Sequence, residues 1–244
     1  VLYLHALNPY GFSGWRRATQ ENVDLNRNFQ DFTQPLPPNP GYDEISTLLV
    51  PERWPPPPEV EQRLASYLRT HGAAALQHAV SGGQYAHPQG LYYGGLNPTW
   101  SHQTVRHLLQ QHATRCTRLA WIDVHTGLGP CGHGERIAAG HPDTLPRARR
   151  WWGAQVTSVD DRSASSTALT GTMAGVVQVD CAQAEFAGIA LEFGTRPLWD
   201  MFDALRAEQW LENHPEAPDA QRRKIKQQFF DAFFVDTDDW KRGV

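Results

Sequence analysis

The stretch Leu119-Ala120-Trp121-Ile122-Asp123-Val124-His125-Thr126-Gly127 decides the fold. Leu119 to Val124 is an apolar run interrupted by a single Asp, and it ends at His125 before the Gly-rich segment Gly127-Leu128-Gly129-Pro130. Such a run predicts a central strand that delivers a polar side chain to a loop. Asp123 and His125 are two residues apart, so on a strand they share a face. A second run, Ile189-Ala190-Leu191-Glu192-Phe193, repeats the design with a carboxylate near its end. Burial there would raise the Glu192 pKa and make it a better proton shuttle. A buried Glu is costly unless a cation pairs with it or it works as an acid or base.

Outward from these two strands the chain alternates between strand and helix signals. Val1 to Ala6 reads as a buried strand, with His5 structural inside it, and Asn8-Pro9-Tyr10-Gly11-Phe12 as the turn leaving it. Residues 31–58 read as an irregular loop, because the prolines at 35, 37, 38, 40, 51 and 55–58 disfavour regular elements. Val60, Leu64, Tyr67, Leu68 and His71 keep helical spacing up to Gly72. Leu76 to Val80 and Val176 to Val179 read as further strands. Ser101 is expected to cap a helix carrying Val105, Leu108, Leu109 and His112, and residues 126–135 a Gly-rich loop. After Pro218, Ile225, Phe229, Phe230 and Phe233 form a helical stripe of core residues. This alternation predicts a single α/β domain over residues 1–244, with a mostly parallel, mixed central sheet flanked by helices. His125 and Glu192 then fall at the carboxyl ends of strands, where such sheets carry their sites.

Composition narrows the function classes. With 40% hydrophobic residues and nine Trp among 244 residues, the chain can bury a core. A net charge of -4 argues against nucleic acid, which needs clustered Lys and Arg. Arg147, Arg149 and Arg150 read as a solvated helix face. No apolar run has transmembrane length, so no membrane partner is expected. Cys116, Cys131 and Cys181 are isolated, which excludes a disulfide framework and a cysteine zinc knuckle; a cytoplasmic setting is the default. The chain opens on Val1, inside an apparent strand, which implies that an N-terminal portion precedes it. Any targeting peptide would lie there as well.

The chemistry-bearing segment is Asp24-Leu25-Asn26-Arg27-Asn28-Phe29. A guanidinium offers two parallel donors to a carboxylate, and a neighbouring amide adds a third. Alone, Asn26-Arg27 reads as a surface ion pair; with His125 and Glu192 it reads as a carboxylate clamp. Tyr92 and Tyr93, before Gly94-Gly95, read either as pocket walls or as packing aromatics. His133 and Glu135 are possible replacement metal ligands, with solvated loop residues as the commoner reading.

Together, Asn8-Pro9-Tyr10-Gly11, Trp15-Arg16-Arg17, Asp24 to Phe29, the lone His125 and the late Glu192 resemble the zinc metallocarboxypeptidase superfamily. The wording from His5 to Phe12, Tyr92-Tyr93-Gly94-Gly95 and Asp123 to Pro130 resembles one bacterial branch of it, labelled a domain of unknown function. The resemblance runs from about residue 1 to residue 196. It implies a metallocarboxypeptidase-like fold and a zinc-dependent hydrolase that cleaves an amide beside a free carboxylate. Within it, Asn26 and Arg27 match the carboxylate clamp, His125 the third zinc ligand and Glu192 the general base. Arg17 matches the carbonyl-polarising Arg, with Arg16 a close rival, and Asp123 is a partner for a ligand. The implied substrate is a peptide or an acylated amino acid with a free carboxylate, so an N-acyl amino acid deacylase is the runner-up.

One departure stands out. None of the eleven His begins a His-x-x-Glu motif, which supplies two zinc ligands in that superfamily. His133 and His214 each have a Glu two residues later, a different spacing. In the family the motif precedes the Asn-Pro-x-Gly strand. Either this sequence is a fragment of a complete enzyme, which its start within a strand favours, or it is a metal-free carboxylate- or peptide-binding module that lost its zinc site.

Overall fold

The structure, a computed structural model, describes residues 1–244. Its sheet has three strands: β1 (Arg118–Gly127), β2 (Gly134–Ala139) and β3 (Glu185–Gly194). They lie in the order β1-β3-β2, with β1 parallel and β2 antiparallel to β3. The sheet is therefore mixed, with one parallel and one antiparallel pair where a mostly parallel one was expected. β3 is the central strand. Its run from Phe186 to Ile189 is buried on both faces, as a central strand requires. β1, expected to be central, is an edge strand, and its burial alternates along its length.

Eleven helices surround the sheet: α1 (Pro9–Gly14), α2 (Leu25–Asn28), α3 (Pro40–Leu49), α4 (Pro58–His71), α5 (Ala73–Ser81), α6 (Trp100–His112), α7 (Leu145–Trp152), α8 (Met173–Asp180), α9 (Leu198–Asn213), α10 (Asp219–Phe233) and α11 (Asp238–Gly243). None is long and apolar enough to cross a membrane. The architecture is α/β, with helices on both faces of a small sheet. The main core packs Tyr42, Ile45 and Leu49 of α3 against Leu64 of α4, Leu76 of α5 and Leu205 of α9. A second core joins Val105 and Leu109 of α6 to Val177 of α8 and Phe186 of β3.

Several sequence expectations give way here. The Pro-rich segment contains α3. Its Pro40 sits in the first helical turn, where a missing N–H costs nothing, and the Asn39 side chain accepts from the Tyr42 N–H. Leu76 to Val80 belongs to α5 and Val176 to Val179 to α8; both are short apolar runs that fit either periodicity. Gly72, with φ of 85°, ends α4 as expected and also starts α5, because it turns the chain without breaking the packing. The cap of α6 is Thr99, whose side chain accepts from the His102 N–H, and Ser101 lies inside the helix. β2 begins at Gly134, within the expected loop 126–135. Residues 1–6 form no strand, and Val1 to Leu4 are exposed; His5 is exposed too, edge-on to Phe12.

Candidate functional site

The β1–β3 register sets His125 beside Glu192 at the carboxyl ends of two parallel strands. On the antiparallel side, Glu135 of β2 is the cross-strand partner of Glu192. Asp123 lies on the His125 face, and its Oδ2 stands 2.8 Å from His125 Nε2. That carboxylate is off the N–H axis, so Nε2 is buried without an aligned hydrogen bond. Glu192 Oε1 accepts from the Leu128 N–H at 3.0 Å, in the loop that leaves β1.

The basic side of the site comes from the N-terminal segment. Asp24 caps α2 by accepting from the Asn26 N–H at 3.0 Å. Arg17 Nε donates to Asp24 Oδ2 at 2.5 Å, while Arg27 Nη1 lies 3.9 Å from Asp24 Oδ1. Arg27 is buried, donating through Nε and Nη2 to the Ser81 carbonyl and through Nη1 to that of Asn26. Both guanidiniums lie over the Tyr92 ring, 4.9 Å and 5.2 Å from its centroid for Arg17 and Arg27. Two guanidiniums thus share Asp24, while Asp123 and Glu192 bring two more carboxyl groups to the same cavity. Gly83 leaves room for this packing: its φ is +97°, and a Cβ there would lie 2.6 Å from Arg27 Cδ.

Asn26 ties the acidic and basic halves together. Its Nδ2 donates to Asp123 Oδ2 at 3.2 Å, and its Oδ1 accepts from the Met173 N–H at the start of α8 at 3.0 Å. Arg17, Asn26, Arg27, Asp123, His125 and Glu192 all line one cavity of about 320 Å³. Tyr92 lines it as well, as one of the two readings of that residue anticipated. Tyr93 is instead buried, its carbonyl accepting from the Asp24 N–H.

Arg16 goes elsewhere. Its Nη1 donates to Glu212 at 2.9 Å, its Nη2 to Asn22 at 2.7 Å, and its Nε lies 3.6 Å from Glu208. Of the two rivals, Arg17 is the one at the cavity. The Glu135 carboxylate is occupied by the hydroxyls of Thr157 and Ser165, each at 2.6 Å, and His133 is exposed.

The electrostatics follow from burial and neighbours. Burial opposes the Arg17 charge, but Asp24 outweighs it and holds the guanidinium pKa above its ordinary value. For Arg27, burial wins over Asp24 and pulls the pKa down, although a guanidinium stays charged. Burial pushes Asp24 up, and the two arginines more than reverse it. Burial likewise works against the His125 cation, but Asp123 prevails and raises its pKa. For Glu192, burial dominates over His125 and the Leu128 N–H, so its pKa is raised.

A catalytic zinc takes three protein ligands and a water. His125 Nε2 is the right kind of donor, but no group of three or more His, Cys, Asp or Glu converges on a possible ion position.

Sequence reasoning missed the role of Asp24, although its position three residues before Arg27 was visible. It also missed the cavity face of α9, signalled by Leu198, Met201, Phe202 and Leu205 at helical spacing. Phe233, read as core, lines the cavity too. The molecule is thus an α/β protein with a charged cavity at the carboxyl ends of its parallel strands. It belongs to the family described as "Protein of unknown function (DUF2817)", whose model matches residues 1–244. No curated protein and no solved structure matches the chain.

Proposed function

We propose that this protein is a metallocarboxypeptidase-like hydrolase that cleaves an amide bond next to a free carboxylate. The observation that carries the reading is convergence: two guanidiniums, a buried imidazole and a carboxyl group with a raised pKa share one cavity. Arg27, with Asn26 beside it, seats the substrate carboxylate. The terminal nitrogens of Arg17 donate to no protein group, so they are free to polarise the scissile carbonyl. Glu192 takes a proton from the attacking water, whose oxygen adds to the carbonyl carbon. As the C–N bond breaks, Glu192 returns that proton to the leaving nitrogen. Asn26 holds Asp123, whose carboxylate faces the His125 imidazole.

The proposal includes zinc, with His125 as one ligand; the metal would lower the pKa of a bound water. The roles of Arg17, Arg27 and Glu192 rest on their own side chains. A deacylase acting on N-acyl amino acids fits the same seat, because its substrate also carries a carboxylate. The missing three-donor group favours a second reading, a metal-free module that binds a carboxylate-bearing peptide end.

Zinc content, release of terminal residues from peptides and release of acyl groups from N-acyl amino acids separate the three. Hydrolysis of either substrate, lost by about a hundredfold or more in Glu192→Gln, is the expected result. Carboxylate binding with no zinc and no turnover would leave the binding module as the correct reading.

A further inference from the structure

We infer that the substrate of this cavity is amphiphilic: a carboxylate whose other end is a bulky apolar group, aromatic or long-chain aliphatic, lying along the inner face of α9. The inference rests on the carboxylate-seat reading of Asn26 and Arg27 and specifies what the rest of the cavity takes.

Leu198, Met201, Phe202 and Leu205 follow a three-four-seven spacing along α9 and all line the cavity. Leu76 and Val80 of α5 line it as well. A volume of about 320 Å³ is at the small end for ligand pockets and leaves room for one such group beside an anchored carboxylate. The apolar wall reaches the reacting centre. A Cβ placed on Gly127 would lie 3.2 Å from Glu192 Oε1 and 3.5 Å from both Met201 Sδ and Phe233 Cε1. A polar substituent there would lose its water and find no partner, whereas an apolar one gains by leaving water.

The rim carries the second observation. From Met201 to Leu211 nearly all of α9 is buried, yet its first turn leaves Leu198 52% and Trp199 49% exposed beside the cavity. Trp199 packs edge-on to Phe202 with ring centroids 5.7 Å apart. An indole continuous with an apolar wall is suited to cover the far end of a bound apolar chain.

Three probes test this by titration calorimetry: 3-phenylpropanoate, propanoate and 3-phenylpropan-1-ol. The expected order puts 3-phenylpropanoate about tenfold or more tighter than propanoate, the gain for burying a ring. Trp199→Ala and Leu198→Ser, both at half-exposed positions, should each narrow that ratio. Equal affinities for the two acids would overturn the inference and leave the carboxylate seat intact. An alcohol that binds as tightly as its acid would overturn the seat and leave the apolar wall. Binding by none of the three would overturn both, and a ratio unchanged in both variants would remove the rim from the account.

Discussion

Arg16 and Arg17 are neighbours in sequence and serve two different regions. Arg16 enters a buried cluster with Glu208, Glu212 and Lys226, where two cations meet two carboxylates. Arg17 enters the cavity, where it and Arg27 share Asp24. The first region is electrically closed and joins the N-terminal segment to α9 and α10. The second faces a cavity that also holds Asp123, His125 and Glu192. The first cluster is enclosed by the fold, whereas the second opens on a cavity that can admit a ligand.

The comparison breaks first at Asp24. Asp24→Asn leaves the buried Arg27 and the partly exposed Arg17 without this counter-charge, and a loss of about 3–5 kcal/mol is expected from the denaturant midpoint. Arg16→Gln should cost less, about 2–3 kcal/mol, because Lys226 still reaches both glutamates. That variant should bind carboxylates like the parent protein. Arg17→Gln should reverse the pattern: its side chain is 36% exposed, so stability changes less, but hydrolysis falls by about a hundredfold as the scissile carbonyl loses its donor. Denaturant midpoints and hydrolysis rates of the pair check both halves, and loss of carboxylate binding in Arg16→Gln would erase the distinction. Gly83→Ala combines a φ of +97° with a clash at Arg27, so about 1–3 kcal/mol and weakened carboxylate binding are expected.

pH gives the smallest effects. Asp24 has a folded pKa below its ordinary 3.8, so its contribution is present above that value. The contribution fades as pH falls through the lower folded value. His125 is the opposite case: its folded pKa is above the ordinary 6.5, because Asp123 overcomes burial. Its contribution is present below 6.5 and is lost as pH rises through the folded value. Urea midpoints recorded with a chelator present should therefore fall on the alkaline side, and His125→Gln should flatten that limb. An unchanged limb in the variant would contradict the Asp123–His125 pairing.

The parts of the fold legible in sequence were those with length or chemistry behind them. β1 and β3 showed as apolar runs ending in a polar residue, and α4 and α10 as long periodic stripes. Leu76–Val80 and Val176–Val179 misled because four or five apolar residues fit a buried helix as well as a strand. The prolines of residues 31–58 hid α3, since one of them starts a helix. The polar residues of the site were readable by type and order, but their sharing of one cavity depends on the β1–β3 register. The lining of α9 and the tie from Asn26 to Asp123 are tertiary facts, 97 residues apart in the second case. Nor could the choice between Arg16 and Arg17 be made locally, because Glu208 and Glu212, which claim Arg16, lie nearly the whole chain away.

The most direct measurement compares hydrolysis of one blocked dipeptide carrying a free terminal carboxylate with that of its terminal carboxamide. The account predicts a preference for the acid of about a hundredfold or more, since an uncharged end brings no counter-charge to the Arg27 seat. Equal rates for acid and amide would contradict it.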